Sequence, residues 1–501
     1  MHTAIKHRLW RLISSMSKSE KRNFNIYAAR AGGAGGKKFV ALFDQLAKMP
    51  APDDALLLKK LKLSTSQLSN LKRHLYREVL ASLRMIHIAK EIDIELREQL
   101  DFVRILYGKG HTLDALRVLE RARGIAEEHN QDVLHLEIIE FQKLIEARHI
   151  TLSRQVDDKM DHLLNESAAL SYSFLNTSEL LNLNIQIQGR YIESGHSRSP
   201  EEAAANDQYW RSIQPETVDR KREAPTFHQL INRFQAEMWF HYIQLQLPAA
   251  LNAAMNAVTR FKLSQQMIYK DPDLYMRCLY YVSILAFLTG DDRELDRYVS
   301  RLNDFLAKNE STLNANSRRI GDTYSYLVRH NLALARGDYA SAYQFSRQVY
   351  DLYRTGDFRP NNHRWGLFLY KLAASCFILR KYDEALDHLN DIINMKTGLL
   401  REDLLINTRL LHALCNFELA NFSLVDYYLT SLSRLLRRSR ETAEVHRVTV
   451  AGLRRILNLP PAERATVYPT LLASVEELAD KPFERKALAY LDLRLWLRGH
   501  V

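Results

Sequence analysis

Cysteine is scarce in this chain of 501 residues: only Cys278, Cys376 and Cys415 occur, far apart and without a CxxC pair. That excludes a disulfide framework and gives no zinc-site spacing. Cys376 and Cys415 fall on apolar helix faces as small core residues, which fits a reducing compartment and a cytoplasmic location. Proline is missing from Asp53 through Arg198 and again from Asp273 through Arg359. Such stretches permit continuous helix pairs, and few segments alternate with period two, so strand-and-turn folds are excluded and an all-α chain is expected. No apolar run approaches a membrane span, and the N-terminus lacks the unbroken apolar core of a secretory signal. Also missing are HExxH, a serine-centred elbow, a glycine-rich dinucleotide turn and a matched carboxylate pair. The expectation is a protein that is not an enzyme and uses no cofactor; an active site assembled from distant residues would leave no such motif.

Acids are depleted at one end. Residues 1–90 hold 18 Lys+Arg against 5 Asp+Glu, or +13, and the remainder 52 against 54, or −2, giving the total of +11. A positive field confined to the N-terminal segment suits an anionic partner, nucleic acid or an acidic protein surface; the alternative is a solvated surface that keeps the chain soluble. The first 19 residues carry no acid, and Ile5, Leu9, Leu12, Ile13 and Met16 form a stripe predicted to dock on the following helices. Ser17 and Glu20 have cap spacing and start a second helix. The AGGAGG run at 31–36 followed by Lys37 and Lys38 fails as a phosphate loop, because Lys38 stands where Ser or Thr is required, and reads as a connector.

What is abundant is helical periodicity. Trp365 to Asn394 reads as two amphipathic helices packed as a hairpin, with Leu369, Leu372, Ala373 and Cys376 on one, Ala385, Leu389 and Ile392 on the other, and Tyr382 at the turn. These slots resemble a tetratricopeptide repeat. Turns near Gly290, Gly337, Arg380 and Asn421 are followed by Leu295, Ala342, Ala385 and Val425, so successive wedge positions lie 47, 43 and 40 residues apart, against about 34 in the regular family. The expected fold is an α-solenoid of such hairpins. The chain also resembles a bacterial type of tetratricopeptide-like repeat protein with an SKSEKR-containing head, a resemblance that implies no activity.

Four segments are expected: a basic helical domain over 1–90, a first helical-repeat segment over 91–193, a loop or insertion over 194–226 with Trp210 as its anchor, and helical repeats over 227–501 whose last part, from Leu432, caps the array. In the head, helices over Lys37–Lys48, Asp53–Lys62 and from Thr65 resemble a helix-turn-helix, with Lys62 where that turn has glycine. The resemblance implies outward-facing Gln67, Asn70, Arg73 and His74, with Lys59, Lys60, Lys62, Lys72 and Arg77 near phosphates. Two ExxH spacings, Glu146 to His149 and Glu193 to His196, read as surface pairs rather than di-iron ligands. In the repeats, the family's groove positions are Tyr370, Ala374 and Phe377, then Leu410, Leu414 and Phe417, preceded by Leu327, Asn331 and Leu334. Being mostly apolar, they imply a peptide or amphipathic helix as ligand, or a groove closed by the chain's own helices. The function expected is a protein-interaction scaffold, with a nucleic-acid-binding regulator as the alternative.

Overall fold

The computed structural model describes residues 7–30, 36–88, 91–149, 159–215, 225–356, 358–395, 402–439 and 442–501. Every regular element among them is helical, successive helices pack as neighbours, and the chain is an all-α helical-repeat solenoid. None of the described helices is long and apolar enough to cross a membrane. The chain forms two compact units, residues 1–175 and 176–501.

The first unit opens with α1 (Arg8–Ser15), α2 (Lys18–Arg30), α3 (Gly36–Lys48), α4 (Asp54–Leu61) and α5 (Thr65–His87). Ser17 and Glu20 cap α2 reciprocally, the Glu20 amide donating to Ser17 Oγ at 3.2 Å and the Ser17 amide to Glu20 Oε2 at 2.7 Å. Leu9, Ile13 and Met16 are buried with Phe24, Leu42, Phe43 and Leu75, so the basic first helix spends its apolar stripe on its own head. Ile5 and residues 31–35 of the glycine run lie outside the described residues. Asp53 caps α4, and Ser64 with Gln67 forms a capping box on α5. Between them Lys62 sits at φ 50°, ψ 49°, the left-handed conformation that the turn demands and that glycine would adopt without strain. Next come α6 (Ile92–Gly108), α7 (Thr112–Glu128) and α8 (Asp132–Arg148), where Leu96, Leu100, Ala115, Leu119, Ala122 and Ile138 interlock. The division between units falls within α9 (Lys159–Ser194).

In the second unit, residues 194–226 are not simply a loop: Pro200–Ser212 form α10. The start signal is local, with the Ser199 side chain accepting from the Glu202 amide, Pro200 in the first turn, and Glu201 and Glu202 at the positive helix end. Trp210 stacks on Phe240 at 4.7 Å and anchors this helix. The helical pairs that follow are α11 (Phe227–Ile243) with α12 (Leu247–Leu263), then, after short α13 (Gln266–Lys270), α14 (Pro272–Thr289) with α15 (Asp292–Lys308), α16 (Ala315–Ala335) with α17 (Tyr339–Thr355), α18 (Asn362–Ile378) with α19 (Tyr382–Ile393), and α20 (Glu402–Glu418) with α21 (Phe422–Arg438). Leu295, Ala342, Ala385 and Val425 are fully buried where the second helix of each pair meets the first. Apart from α19, with 12 residues, the paired helices have 17 to 21, the longest being α16, and lengthen the repeat beyond the regular family.

The chain ends with α22 (Glu444–Asn458), a 3₁₀ turn (Pro461–Thr466), α23 (Val467–Ala479), α24 (Pro482–Leu488) and α25 (Leu493–Arg498). The expected terminal cap is therefore only half the account. Residues from Arg485 onward also reach back to earlier pairs: Arg485 donates to the Thr289 carbonyl at 3.1 Å, and Tyr490 meets Tyr370 edge-on at 5.5 Å.

Candidate functional site

The first helices of successive pairs, α11, α14, α16, α18 and α20, share one face of the second unit, and that face divides into a filled half and an open half. Over α18 and α20 the C-terminal segment fills it. Tyr490 donates to Asp403 Oδ2 at 2.8 Å, and Trp496 Nε1 donates to Glu418 Oε1 at 2.7 Å while its ring lies edge-on to Phe417. Glu484 accepts from the Glu444 and Val445 amides at 2.9 and 2.8 Å, closing the first turn of α22. Glu418 also receives Tyr382 and His500; burial would raise its carboxyl, but the bonds from His500, Trp496 and Tyr382 outweigh this and hold it below its ordinary value.

Of the nine groove positions expected from the sequence, Leu327, Asn331, Tyr370, Ala374, Phe377, Leu410, Leu414 and Phe417 are buried and Leu334 is half-buried. Phe377, Leu410, Leu414 and Phe417 offer no open apolar face to a partner helix, because the chain's own residues cover them. Tyr370 and Ala374, together with Asn331 and Leu334, instead border a cavity of about 300 Å³.

The cavity has an aromatic wall and a cationic floor. Tyr191, Trp239 and Tyr242 pack against one another, and Trp239 meets Tyr281 edge-on at 5.8 Å. From α18 come Arg364 and Lys371, two turns apart on one face, and from the C-terminal segment Lys486. Arg364 donates to the Tyr280 hydroxyl at 2.8 Å and lies over that ring; Tyr280 in turn stacks on Tyr324 at 4.4 Å. Lys371 Nζ donates to Asn331 Oδ1 at 2.5 Å. Lys486 has an acidic partner, Asp403 at 3.7 Å, and donates to His196 Nδ1 at 3.0 Å. No Asp or Glu is among the described residues that line the cavity.

Burial sets the protonation here. It brings the Lys371 ammonium down to about 7, because little solvent is left to stabilise the charge. His330 is held well below its ordinary value by burial and by Lys371, so the imidazole is neutral; its Nδ1 meets Ser346 Oγ at 2.8 Å. Three polar atoms of cavity residues, Trp239 Nε1, His330 Nε2 and Tyr370 Oη, are buried with no hydrogen-bond partner among the described residues.

The head places its predicted residues unevenly. Lys59, Lys60, Lys62, Gln67, Asn70, Arg73 and Arg77 are exposed. Yet the Gln67 side chain accepts the Ser64 amide at 2.9 Å, so it caps α5 instead of reaching outward. Lys72 is paired with Asp54 at 2.5 Å, and Lys60 donates to Gln45 at 3.1 Å. Neither ExxH spacing makes a surface pair: Glu146 and His196 are buried, the latter edge-on to Tyr191 and Tyr242. Cys376, Glu384 and His388 bring three potential ligand atoms within 4.8 Å of one another. Glu384, however, is held by Arg347 at 2.7 Å and by the Tyr343 hydroxyl, and burial raises the Cys376 thiol to about 12, a poor donor set for a cation.

Lys371, Arg364, Lys486 and Trp239 escaped the sequence reading. One signal was present: Lys371 interrupts the apolar run LFLYKLAASCFI, on a helix otherwise buried nearly all round.

No family model and no curated protein matches the chain. Among solved structures it is similar to the chain described as the apo form of RapI, at 12% identity and a TM-score of 0.40, over 75% of this chain and 97% of that one.

Proposed function

We propose that this protein is a non-enzymatic interaction scaffold of the cytoplasm, in which the helical repeats hold protein partners and the open half of their shared face is the recognition site. The observation that carries this reading is the filled half. There the face binds an added segment of chain through two aromatic anchors, Tyr490 and Trp496, each with a hydrogen bond to a carboxylate. A surface that holds one segment by anchors in pockets has the means to hold another. Binding rather than catalysis is favoured because Lys371 faces an amide, and Ser346, the hydroxyl at His330, is buried and does not line the cavity. The buried thiols of Cys278, Cys376 and Cys415 support a reducing compartment.

Filling the open half tests the reading. In the full-length Leu334→Trp variant, with helicity and melting temperature kept, partners that co-purify with the wild type should be lost. Their retention would count against the site.

A second reading, nucleic-acid binding by the head, is favoured by one observation. Lys62 adopts the left-handed turn conformation of a helix-turn-helix without the glycine, leaving Asn70, Arg73 and Arg77 exposed on α5. Binding of the full chain to duplex DNA should then weaken steeply with salt, and Arg73→Ala with Arg77→Ala should flatten that slope. Salt-insensitive, weak binding ends this reading.

A further inference from the structure

The open half of the shared face carries charge without counter-charge. Arg364 and Lys371 enter a largely apolar enclosure, and the partners that the structure gives them, the Tyr280 hydroxyl and the Asn331 amide, are neutral. A cation removed from water is stabilised by a nearby negative charge far more than by a neutral dipole, because the low local dielectric strengthens the attraction. The protein's own acids do not supply that charge: Asp403 is engaged with Lys486 and Tyr490, and no carboxylate lines the cavity among the described residues. The Tyr370 hydroxyl and the Trp239 indole N–H are buried in the wall with no partner among the described residues. The rest of the wall is aromatic and aliphatic, with Trp239, Tyr242, Tyr281, Ile284 and Leu288 offering ring faces and methyl groups to an apolar body. The volume, about 300 Å³, is at the lower end for small-molecule sites.

We propose that this cavity binds a small organic anion with an aromatic body, the anionic group at Lys371 and the body against Trp239, Tyr242 and Tyr281. Arg364 reinforces the positive potential from the same helix face. The proposal rests on the open half being a recognition site, and it makes the scaffold responsive to a metabolite-sized ligand.

Protonation supplies the pH signature. The ionisable groups that line the cavity around Lys371 are His330 of α16, His363, Arg364 and Tyr370 of its own helix, Tyr280 and Tyr281 of α14, Tyr191 and Tyr242 beyond them, and Lys486 and Tyr490 of the C-terminal segment. None of them carries a carboxylate. An anion there requires the Lys371 ammonium, whose fraction falls about tenfold from pH 6 to pH 8 for a group titrating near 7.

Calorimetry on the full-length protein decides, with indole-3-acetate and phenyl phosphate as probes and indole-3-acetamide, tryptamine and inorganic phosphate as controls. Either aromatic anion should bind at least tenfold more tightly than the amide or the amine and more tightly than phosphate. Its affinity should drop about tenfold from pH 6 to pH 8. Lys371→Met, which keeps the buried stem, should lose at least tenfold at pH 6 and abolish the pH dependence. Equal binding of the amide, binding of phosphate as tight as that of phenyl phosphate, or an unchanged affinity in Lys371→Met would each overturn the proposal. So would failure of both aromatic anions while short peptides bind the same cavity. Because calorimetry reads the ligand and co-purification reads the partner, loss of partners in Leu334→Trp with no anion binding would leave the scaffold standing and this inference failed.

Discussion

Lys371 is held at a cost. Its ammonium titrates near 7 in the folded chain against 10.5 when unperturbed. For a base lowered in this way, the unfolded chain binds the extra proton between those two values, so stability rises with pH across that window. Below about 7 both states are charged and the full penalty of burial applies. Replacing the lysine with methionine removes the charge and keeps most of the packing. Because part of the side chain still borders the cavity, the gain is set at roughly 1–3 kcal/mol at pH 7. Lys371→Met should therefore melt several degrees higher than the wild type at pH 7, the difference narrowing towards pH 10; a variant less stable at pH 7 contradicts this. Lys62 illustrates a milder cost. At φ 50° it lacks the freedom of glycine, and Lys62→Gly should raise stability by about 0.5 kcal/mol, the conformational relief exceeding the entropy added to the unfolded chain. Chemical denaturation reads the sign directly.

Among the elements, the C-terminal segment and the groove it fills depend on Glu418. The carboxylate accepts from Tyr382, Trp496 and His500, so its affinity for a proton is lower in the folded chain than in the unfolded one. A carboxyl lowered in this way contributes stability that is present above its unfolded value, ordinarily 4.5, and is lost as pH falls through the folded one. Glu418→Gln should destabilise the protein at pH 7 by about 1–3 kcal/mol and should show less further loss than the wild type on acidification below pH 4.5. Parallel acid unfolding curves would refute that role. Trp496→Ala removes both a packed ring and a bond to the same carboxylate and should cost about 3 kcal/mol.

These contacts mark the limit of what the sequence discloses. Hairpin periodicity, turn positions and the small buried residues Ala342 and Ala385 are local properties, and they were legible. Reading Gln67 as an outward-facing side chain overlooked that a glutamine three residues after Ser64 is better placed to bond the backbone. The α10 helix was missed because polar composition was given more weight than its Ser-Pro-Glu-Glu start. The return of Tyr490 to Tyr370, across 120 positions, has no local signal, so the apolar groove positions left a bound ligand and closure by the chain's own helices as alternatives. The cavity shares this origin. Lys371 could be noticed as a lysine in an apolar run, but its company of Asn331, Tyr280 and Lys486 exists only once three pairs have stacked and the C-terminal segment has returned to them.

On the scale of the molecule, a repeat array with an open apolar face would be exposed to nonspecific association. This chain closes one half of that face with its own end and leaves the other as a small charged cavity. Stability in such arrays is a sum of neighbour terms, so a segment that bridges distant pairs ties them into a common cooperative unit. Hydrogen exchange on the full-length wild-type protein tests this most directly. Amides within 485–498 should exchange as slowly as those of α18 and α20, and Trp496→Ala should speed exchange in all three together. Fast exchange of 485–498 beside a protected α18 and α20 would mean that the groove is not closed by the chain's own end.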